Sequence, residues 1–219
     1  MNCTFVTDNL IGLFQIPSYY QWLMRADLRV PYAYYKRMLK LLQWQNPRRH
    51  WLLKSPSHIE SLPVLFDVFP DARVVYAHRD PVKARASVTH LLGTLYWMRS
   101  DKAFDAASFE RLMTPEAYGA SLDRVIDQIE TGAIPRSQLH DFLFADLMRD
   151  PLDAISRLYQ AMGIAFPDQG RQAVADYLAH KPQGKFGQNV YRLGQEGDIA
   201  RERAIFARCQ SFHRVPNEV

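Results

Sequence analysis

Two short apolar runs within residues 50–91 each end in polar residues and lead into a helical pattern, and this constrains the fold more than any other feature of the chain. Trp51 to Leu53 reads as a short buried strand stopped by Lys54, Ser55, Pro56, Ser57 and His58. Ile59, Leu62, Leu65, Phe66 and Phe69 then recur at the three-and-four spacing of an amphipathic helix, which Pro70 and Asp71 close. The next run, ARVVYAH, is rich in β-branched and aromatic residues and reads as a second strand. Asp80 then caps a helix that opens on Pro81, where a missing N–H costs nothing. Right-handed crossover makes the strands of such a βαβα unit parallel neighbours or near neighbours.

In an open parallel sheet both strands present their carboxyl ends on one edge, where ligands bind. Lys54, Ser55, Ser57 and His58 emerge there from the first expected strand, and His78, Arg79 and Asp80 from the second. Lys83, Arg85, Ser87 and His90 are polar positions along the helix after Pro81. The planar donor fork of Arg79, with the unpaired N–H groups of the helix's first turn, suits an anion such as a phosphate. Blander readings apply to each residue alone. Arg79 before Asp-Pro also suits a plain helix start, Ser87 a bond to the preceding turn, and Lys54 and His58 a solvated loop.

The run LKSPSH followed by FPDARVVYAHRDPVKARASV resembles the nucleotide-binding core of the sulfotransferases that use 3'-phosphoadenylyl sulfate (PAPS), in particular their bacterial-type branch. The resemblance implies that Arg79 and Ser87 hold the 3'-phosphate of the donor and that Lys54 lies near the transferring sulfuryl group. The cytosolic branch has lysine, one residue, then a catalytic histidine; Pro56 stands at that place here, and His58, two residues further on, is the candidate general base. The implied fold is α/β, an incomplete P-loop-type three-layer core with a short parallel sheet and abundant flanking helices. PAPS is the expected co-substrate and a small molecule with a hydroxyl or amine the expected acceptor, its identity open.

Before this core, Pro17 and Ser18 divide an expected helix over residues 4–16 from a second with Tyr20, Trp22, Leu23 and Met24. Pro31 opens a stronger helix with Tyr35, Met38, Leu39 and Leu42 on one face, for which packing explains the tyrosines better than an aromatic acceptor pocket does. After the core, the helix from Pro81 continues through Trp97, and local or no structure is expected up to Met113. Pro115 starts a helix with Tyr118, Leu122, Val125, Ile126 and Ile129 on its apolar side, closed by Gly132 and Pro135. LHDFLFADL is a third strand candidate. With Asp146 and Asp150-Pro151 it resembles the family's element joining a core strand to a helix, Phe144 and Ala145 replacing a tyrosine and a glutamate. Further helices are expected over roughly 168–180 and 198–213, the latter with Ile199, Ala204 and Phe206 as its apolar residues. Between them, in KPQGKFGQNVYRLG, Gly184 and Gly187 permit close backbone approach and Lys185 offers a cation. By resemblance Lys185 and Gly187 belong to a loop that closes over the donor; by composition alone they make an acceptable turn.

The family ordinarily begins with a strand, a loop of small residues with a serine or threonine, and a helix, which together grip the phosphosulfate. No such pattern precedes Lys54, so residues 1–219 are expected to form a single sulfotransferase-like domain without that segment, impaired or inactive in catalysis. A degenerate, non-catalytic nucleotide-binding or protein-interaction domain is the alternative. Composition excludes other classes. Hydrophobic residues make up 47% of the chain, enough to fill a core. A net charge of +4 from 27 basic and 23 acidic side chains lacks the stripe of a nucleic-acid binder, so no nucleic-acid partner is expected. Cys3 and Cys209 have no metal or redox spacing and the histidines no ligand spacing, so no metal is expected. There is no apolar run of spanning length and no signal-like start, which gives the expectation of a cytoplasmic protein without a membrane partner. The oligomeric state is open.

Overall fold

The structure, a computed structural model, describes residues 16–103, 114–182 and 195–219 together with Val6, Leu10, Ile11, Phe14, Gly184, Lys185 and Gly187. The expected helix over 4–16, the segment 104–113 and most of the loop 183–194 therefore lie outside the described residues or largely so. The chain divides into two compact units: Met1–Ala72 with Leu91–Pro135, and Arg73–His90 with Arg136–Val219.

In the first unit, α1 (Pro17–Leu23) opens on its proline, as the sequence predicts. Helix α2 (Arg29–Trp44) begins two residues ahead of the expected start, with Pro31 in its first turn. Its buried face is Pro31, Tyr32 and Leu39, whereas Leu42, expected on that face, is exposed. A 3-10 turn, Pro56–Ser61, leads into α3 (Leu62–Val68), and Leu62, Leu65 and Phe66 are buried as the spacing predicts. Helix α2 packs on α3, and the Lys36 ammonium donates to the carbonyl of Val68 at 2.7 Å. Helix α5 (Pro115–Glu130) is capped by Thr114, whose hydroxyl accepts from the Ala117 N–H, and buries Leu122, Val125 and Ile126.

The strand expected at Trp51–Leu53 is absent: residues 51–55 have no regular structure. Trp51 and Leu53 are exposed, and Leu52 is 99% exposed. A strand is stabilised by ladder partners and by one buried face, and three apolar residues supply neither by themselves. The indole N–H of Trp51 instead donates to the Gln43 side chain at 2.9 Å.

In the second unit, β1 (Val74–His78) starts two residues after the expected run and ends with it, but its hydrogen-bonded neighbour is β2 (Leu139–Leu143). The pair is parallel, with Val74 opposite Leu139 and His78 opposite Leu143, and forms the sheet of the described residues. The expected pairing of residues 51–54 with 73–78 is thereby overturned, while the third strand candidate takes its place. The Asp80 carboxylate accepts from the Val82 N–H at 3.1 Å and its carbonyl from Ala84, which starts α4 (Pro81–Trp97). β2 runs directly into α6 (Phe144–Arg149), and Asp150 caps α7 (Pro151–Ala161) through the Asp153 N–H at 3.0 Å. Helix α8 (Asp168–His180) packs on α7.

Helix α9 (Glu196–His213) starts at a reciprocal capping box between Gln195 and Asp198. Its buried face is Glu202, Phe206, Cys209 and His213, and the expected apolar residue Ala204 is exposed. Two of the four buried positions are a glutamate and a histidine, so an apolar count misplaces this face; each has a partner, Glu202 with Arg85 and His213 with Asp141. Among the described residues no helix is long and apolar enough to cross a membrane.

Candidate anion-binding site

Four of the sequence-predicted site residues, Arg79, Ser87, Lys185 and Gly187, belong to the second unit, and Lys54 and His58 to the first. Without a strand at 51–53, Lys54 and His58 do not share a sheet edge with Arg79 in the way the sequence implied. Lys54 is exposed on the irregular segment before the 3-10 turn. His58 is partly buried, its Nδ1 2.7 Å from the hydroxyl of the fully buried Tyr32, which also lies 2.8 Å from Ser61 Oγ.

Arg79 leaves the carboxyl end of β1, and Ser87 sits partly buried two turns into α4. The guanidinium of Arg79 lies 4.4 Å from the centre of the Phe144 ring, at the position where the family element has tyrosine. Its fork grips a carboxylate: Nε donates to both oxygens of Glu218 at 3.0 and 3.1 Å, and Nη2 to Oε2 at 3.0 Å. Lys83 Nζ adds a charge 3.6 Å from the same oxygen. Two oxygens of one planar anion on one guanidinium are also how arginine holds a phosphate. Lys185 donates to the His180 carbonyl at 2.8 Å, and Gly184 and Gly187 have φ of +81° and +87°, where a side chain would be strained.

Asp80, behind Arg79, is wholly buried and accepts from both terminal nitrogens of Arg203 at 2.7 Å and from the Glu218 N–H at 2.7 Å. Burial works against its charged form, but the Arg203 and backbone hydrogen bonds outweigh it and hold its pKa below the ordinary carboxylate value. Arg85, a polar candidate on α4, pairs with Glu202.

Sequence spacing did not anticipate a second cluster, because its members stand at positions 78, 141 and 213. Asp141 Oδ1 lies 2.8 Å from His78 Nε2 and 3.1 Å from His213 Nδ1; the two imidazoles stack at 4.1 Å, and Arg136 pairs with the other oxygen. These ligand-type atoms lie within 4.8 Å of one another, but the guanidinium on the same carboxylate opposes a cation there. An open cavity of about 450 Å³ borders the cluster, and its Asp141 and Asp146 are already engaged by arginines.

Burial opposes the charge of Asp141, yet the hydrogen bonds from His213 and His78 prevail and its pKa falls far below the ordinary value. Burial pushes the His78 pKa down, with the Asp141 hydrogen bond opposing. Folded His78 thus binds fewer protons than unfolded His78. Its contribution to stability is complete above the unfolded value of about 6.5 and is lost as pH falls from there toward the folded value. Urea unfolding is expected to show a stability decline between about pH 7.5 and pH 5 that His78→Gln flattens in part. His140, lowered by burial and by the charges of Arg73 and Arg136, acts in the same direction. An unchanged pH slope in the variant would remove His78 as its source.

Comparison with known proteins agrees with this architecture. Residues 12–168 match the family model described as "Sulfotransferase family". The omega-hydroxy-beta-dihydromenaquinone-9 sulfotransferases Stf3 of Mycobacterium bovis and Mycobacterium tuberculosis are both 27% identical over 155 residues, 68% of this chain and 37% of theirs. The crystal structure of sulfotransferase STF9 from Mycobacterium avium aligns with a TM-score of 0.75 and 28% identity, covering 96% of this chain and 53% of that one. For sulfotransferase STF1 from Mycobacterium tuberculosis H37Rv the values are 0.73 and 26%, covering 92% and 51%. The chain spans about a third of the length of the curated relatives and half that of the solved ones. The α/β helices and short parallel sheet are those of a P-loop-type sulfotransferase fold. With the family model matching well over half of its residues, the chain belongs to the sulfotransferase family.

Proposed function

We propose that this chain supplies the donor-nucleotide site of a PAPS-dependent sulfotransferase. The observation that carries the reading is the Arg79 fork, placed at the end of β1 and backed by Phe144, holding an anion through two oxygens. Arg79 and Ser87 take the 3'-phosphate of the donor, and the glycine-flanked Lys185 and Gly187 contribute from the loop after α8. Lys54 serves the sulfuryl end, and His58 accepts the acceptor proton. Transfer then moves the sulfuryl group from the donor phosphate to the acceptor oxygen, the S–O bond to phosphate breaking as the bisphosphorylated nucleotide leaves. For His58 to act as base through Nε2, its Nδ1–H must donate to Tyr32 and the Tyr32 hydroxyl to Ser61, a chain that the 2.7 and 2.8 Å separations allow. A hydroxyl is the acceptor group that the name of the Stf3 relatives supports.

Calorimetry with 3',5'-bisphosphorylated adenosine and with its 5'-monophosphate tests the site. The bisphosphate is expected to bind more tightly, and Arg79→Ala to remove most of the difference, about 1.5–3 kcal/mol for a charged hydrogen bond. Equal affinities for the two nucleotides in the unaltered chain would sink the assignment. The exposed Trp51, Leu52 and Leu53 favour a second reading, a non-catalytic interaction domain, which predicts no nucleotide binding of either kind.

A further inference from the structure

Glu218 reaches Arg79 and Lys83 from the segment that follows α9, and that segment is anchored without the help of its carboxylate. Arg214 turns the chain with φ 56°, and the Val215 N–H donates to the Gln210 carbonyl at 2.9 Å. The Gln210 amide donates to the Val215 carbonyl and to Asn217 Oδ1 at 3.3 and 2.8 Å. The Glu218 N–H donates to Asp80, and Arg203 donates to the Val219 carbonyl at 2.5 Å. The backbone is thus fixed by Asp80, Arg203 and Gln210, and the Glu218 side chain is presented to the cations as a separate, rotatable group.

Charge arithmetic separates the two carboxylates. Asp80 is matched by the bidentate Arg203, which leaves Glu218 facing both Arg79 and Lys83. One carboxylate against two cations leaves a positive excess, and a phosphate dianion balances the pair where a carboxylate does not. Both cations and Glu218 keep partial exposure, with side chains 29%, 31% and 20% accessible, so an incoming anion can reach them.

We propose that Arg79 and Lys83 together form a phosphate-sized anion site whose resident occupant is the Glu218 carboxylate, so that Lys83 is a second cationic ligand of the donor's 3'-phosphate and Glu218 its built-in competitor. The donor part of this statement rests on the function proposed above; the site and its competitor do not. Nucleotide binding requires the Glu218 side chain to rotate away while its backbone stays on Asp80. Apparent affinity is reduced by the fraction of molecules in which the carboxylate holds the site.

The test compares the unaltered chain with Glu218→Gln, Glu218→Asp and Lys83→Ala, titrated with 3',5'-bisphosphorylated adenosine, the 5'-monophosphate and inorganic pyrophosphate. Calorimetry gives affinity, and the Arg79 Nε–H resonance reports occupancy. Glu218→Gln is expected to tighten the bisphosphate roughly tenfold and leave the monophosphate unchanged. Glu218→Asp, one methylene shorter, should fall between, and Lys83→Ala should weaken the bisphosphate severalfold. Measurable bisphosphate binding that is the same with and without the Glu218 carboxylate would overturn the competitor, as would a pyrophosphate titration that leaves the Arg79 signal unmoved in every variant. If neither chain binds nucleotide while pyrophosphate moves the Arg79 signal more readily in Glu218→Gln, the anion site and its competitor stand and the donor reading falls. Should Glu218→Gln fail to fold, Glu218→Asp and Lys83→Ala carry the same comparison, and wild-type affinity in both would overturn the proposal.

Discussion

Asp80→Ala is expected to cost the second unit about 3–5 kcal/mol, the range for removing one partner of a buried ion pair. The carboxylate has no exposed surface and accepts four hydrogen bonds: two from Arg203, one from the Glu218 N–H and one from the Val82 N–H. Its loss strands the Arg203 guanidinium, whose side chain is only 17% exposed, leaving it Gln210 and the Val219 carbonyl. It also removes the cap of α4, by itself worth about 1 kcal/mol. Asp80→Asn keeps an acceptor for the Val82 N–H but not the charge, so it should recover about that cap term. Urea unfolding of both variants, and of Arg203→Met alone and combined with Asp80→Ala, yields the coupling energy of the pair. A loss of less than about 1 kcal/mol for Asp80→Ala would mean that the pair behaves as a screened surface contact.

The role of Asp80 also shows where sequence reading succeeds and where it stops. Its capping position before Pro81 was legible because a cap is a local device; Thr114 before Pro115 and Asp150 before Pro151 are caps of the same local kind. The strand 74–78 was legible from its β-branched and aromatic content and the strand 139–143 from the apolar run that contains it. Their mutual pairing was not, because register between segments about 65 residues apart leaves no mark in either one. Trp51–Leu53 has the composition of a buried strand and lies exposed, since strand formation is decided by what lies alongside. Long-range charge pairing was equally invisible. Arg203 and Glu218 stand 123 and 138 residues from Asp80, and each reads in sequence as an ordinary surface charge. Arg79 was expected to meet an anion from its place after a strand, while the carboxylate it contacts, Glu218, could be found only in three dimensions.

The largest functional effect is expected in turnover: the 219-residue chain should bind the bisphosphorylated nucleotide yet transfer sulfate more than a hundredfold more slowly than a family member carrying a phosphate loop. A phosphate loop surrounds the transferring group with consecutive backbone N–H donors that need no reorganisation as charge develops. The sequence ahead of Lys54 contains no glycine-rich turn of that kind. Lys54 offers one mobile ammonium on an irregular, exposed segment, which supplies charge but not a fixed curved array. Losing one well-placed oxyanion donor costs roughly 3–4 kcal/mol in other enzymes, and about 2.7 kcal/mol already corresponds to a hundredfold. Arg79, Lys83 and Ser87 act on the far phosphate of the donor in this scheme, so affinity survives where turnover does not. Binding and transfer measured on one preparation decide the matter, with a second chain extended at residue 1 by a strand, loop and helix of the family pattern as the comparison. Recovery of transfer in the extended chain, at little change in bisphosphate affinity, is the expected result. Ordinary turnover by the 219 residues alone would mean that another segment performs the work of the loop, and neither nucleotide binding nor transfer in either chain would favour the non-catalytic interaction reading.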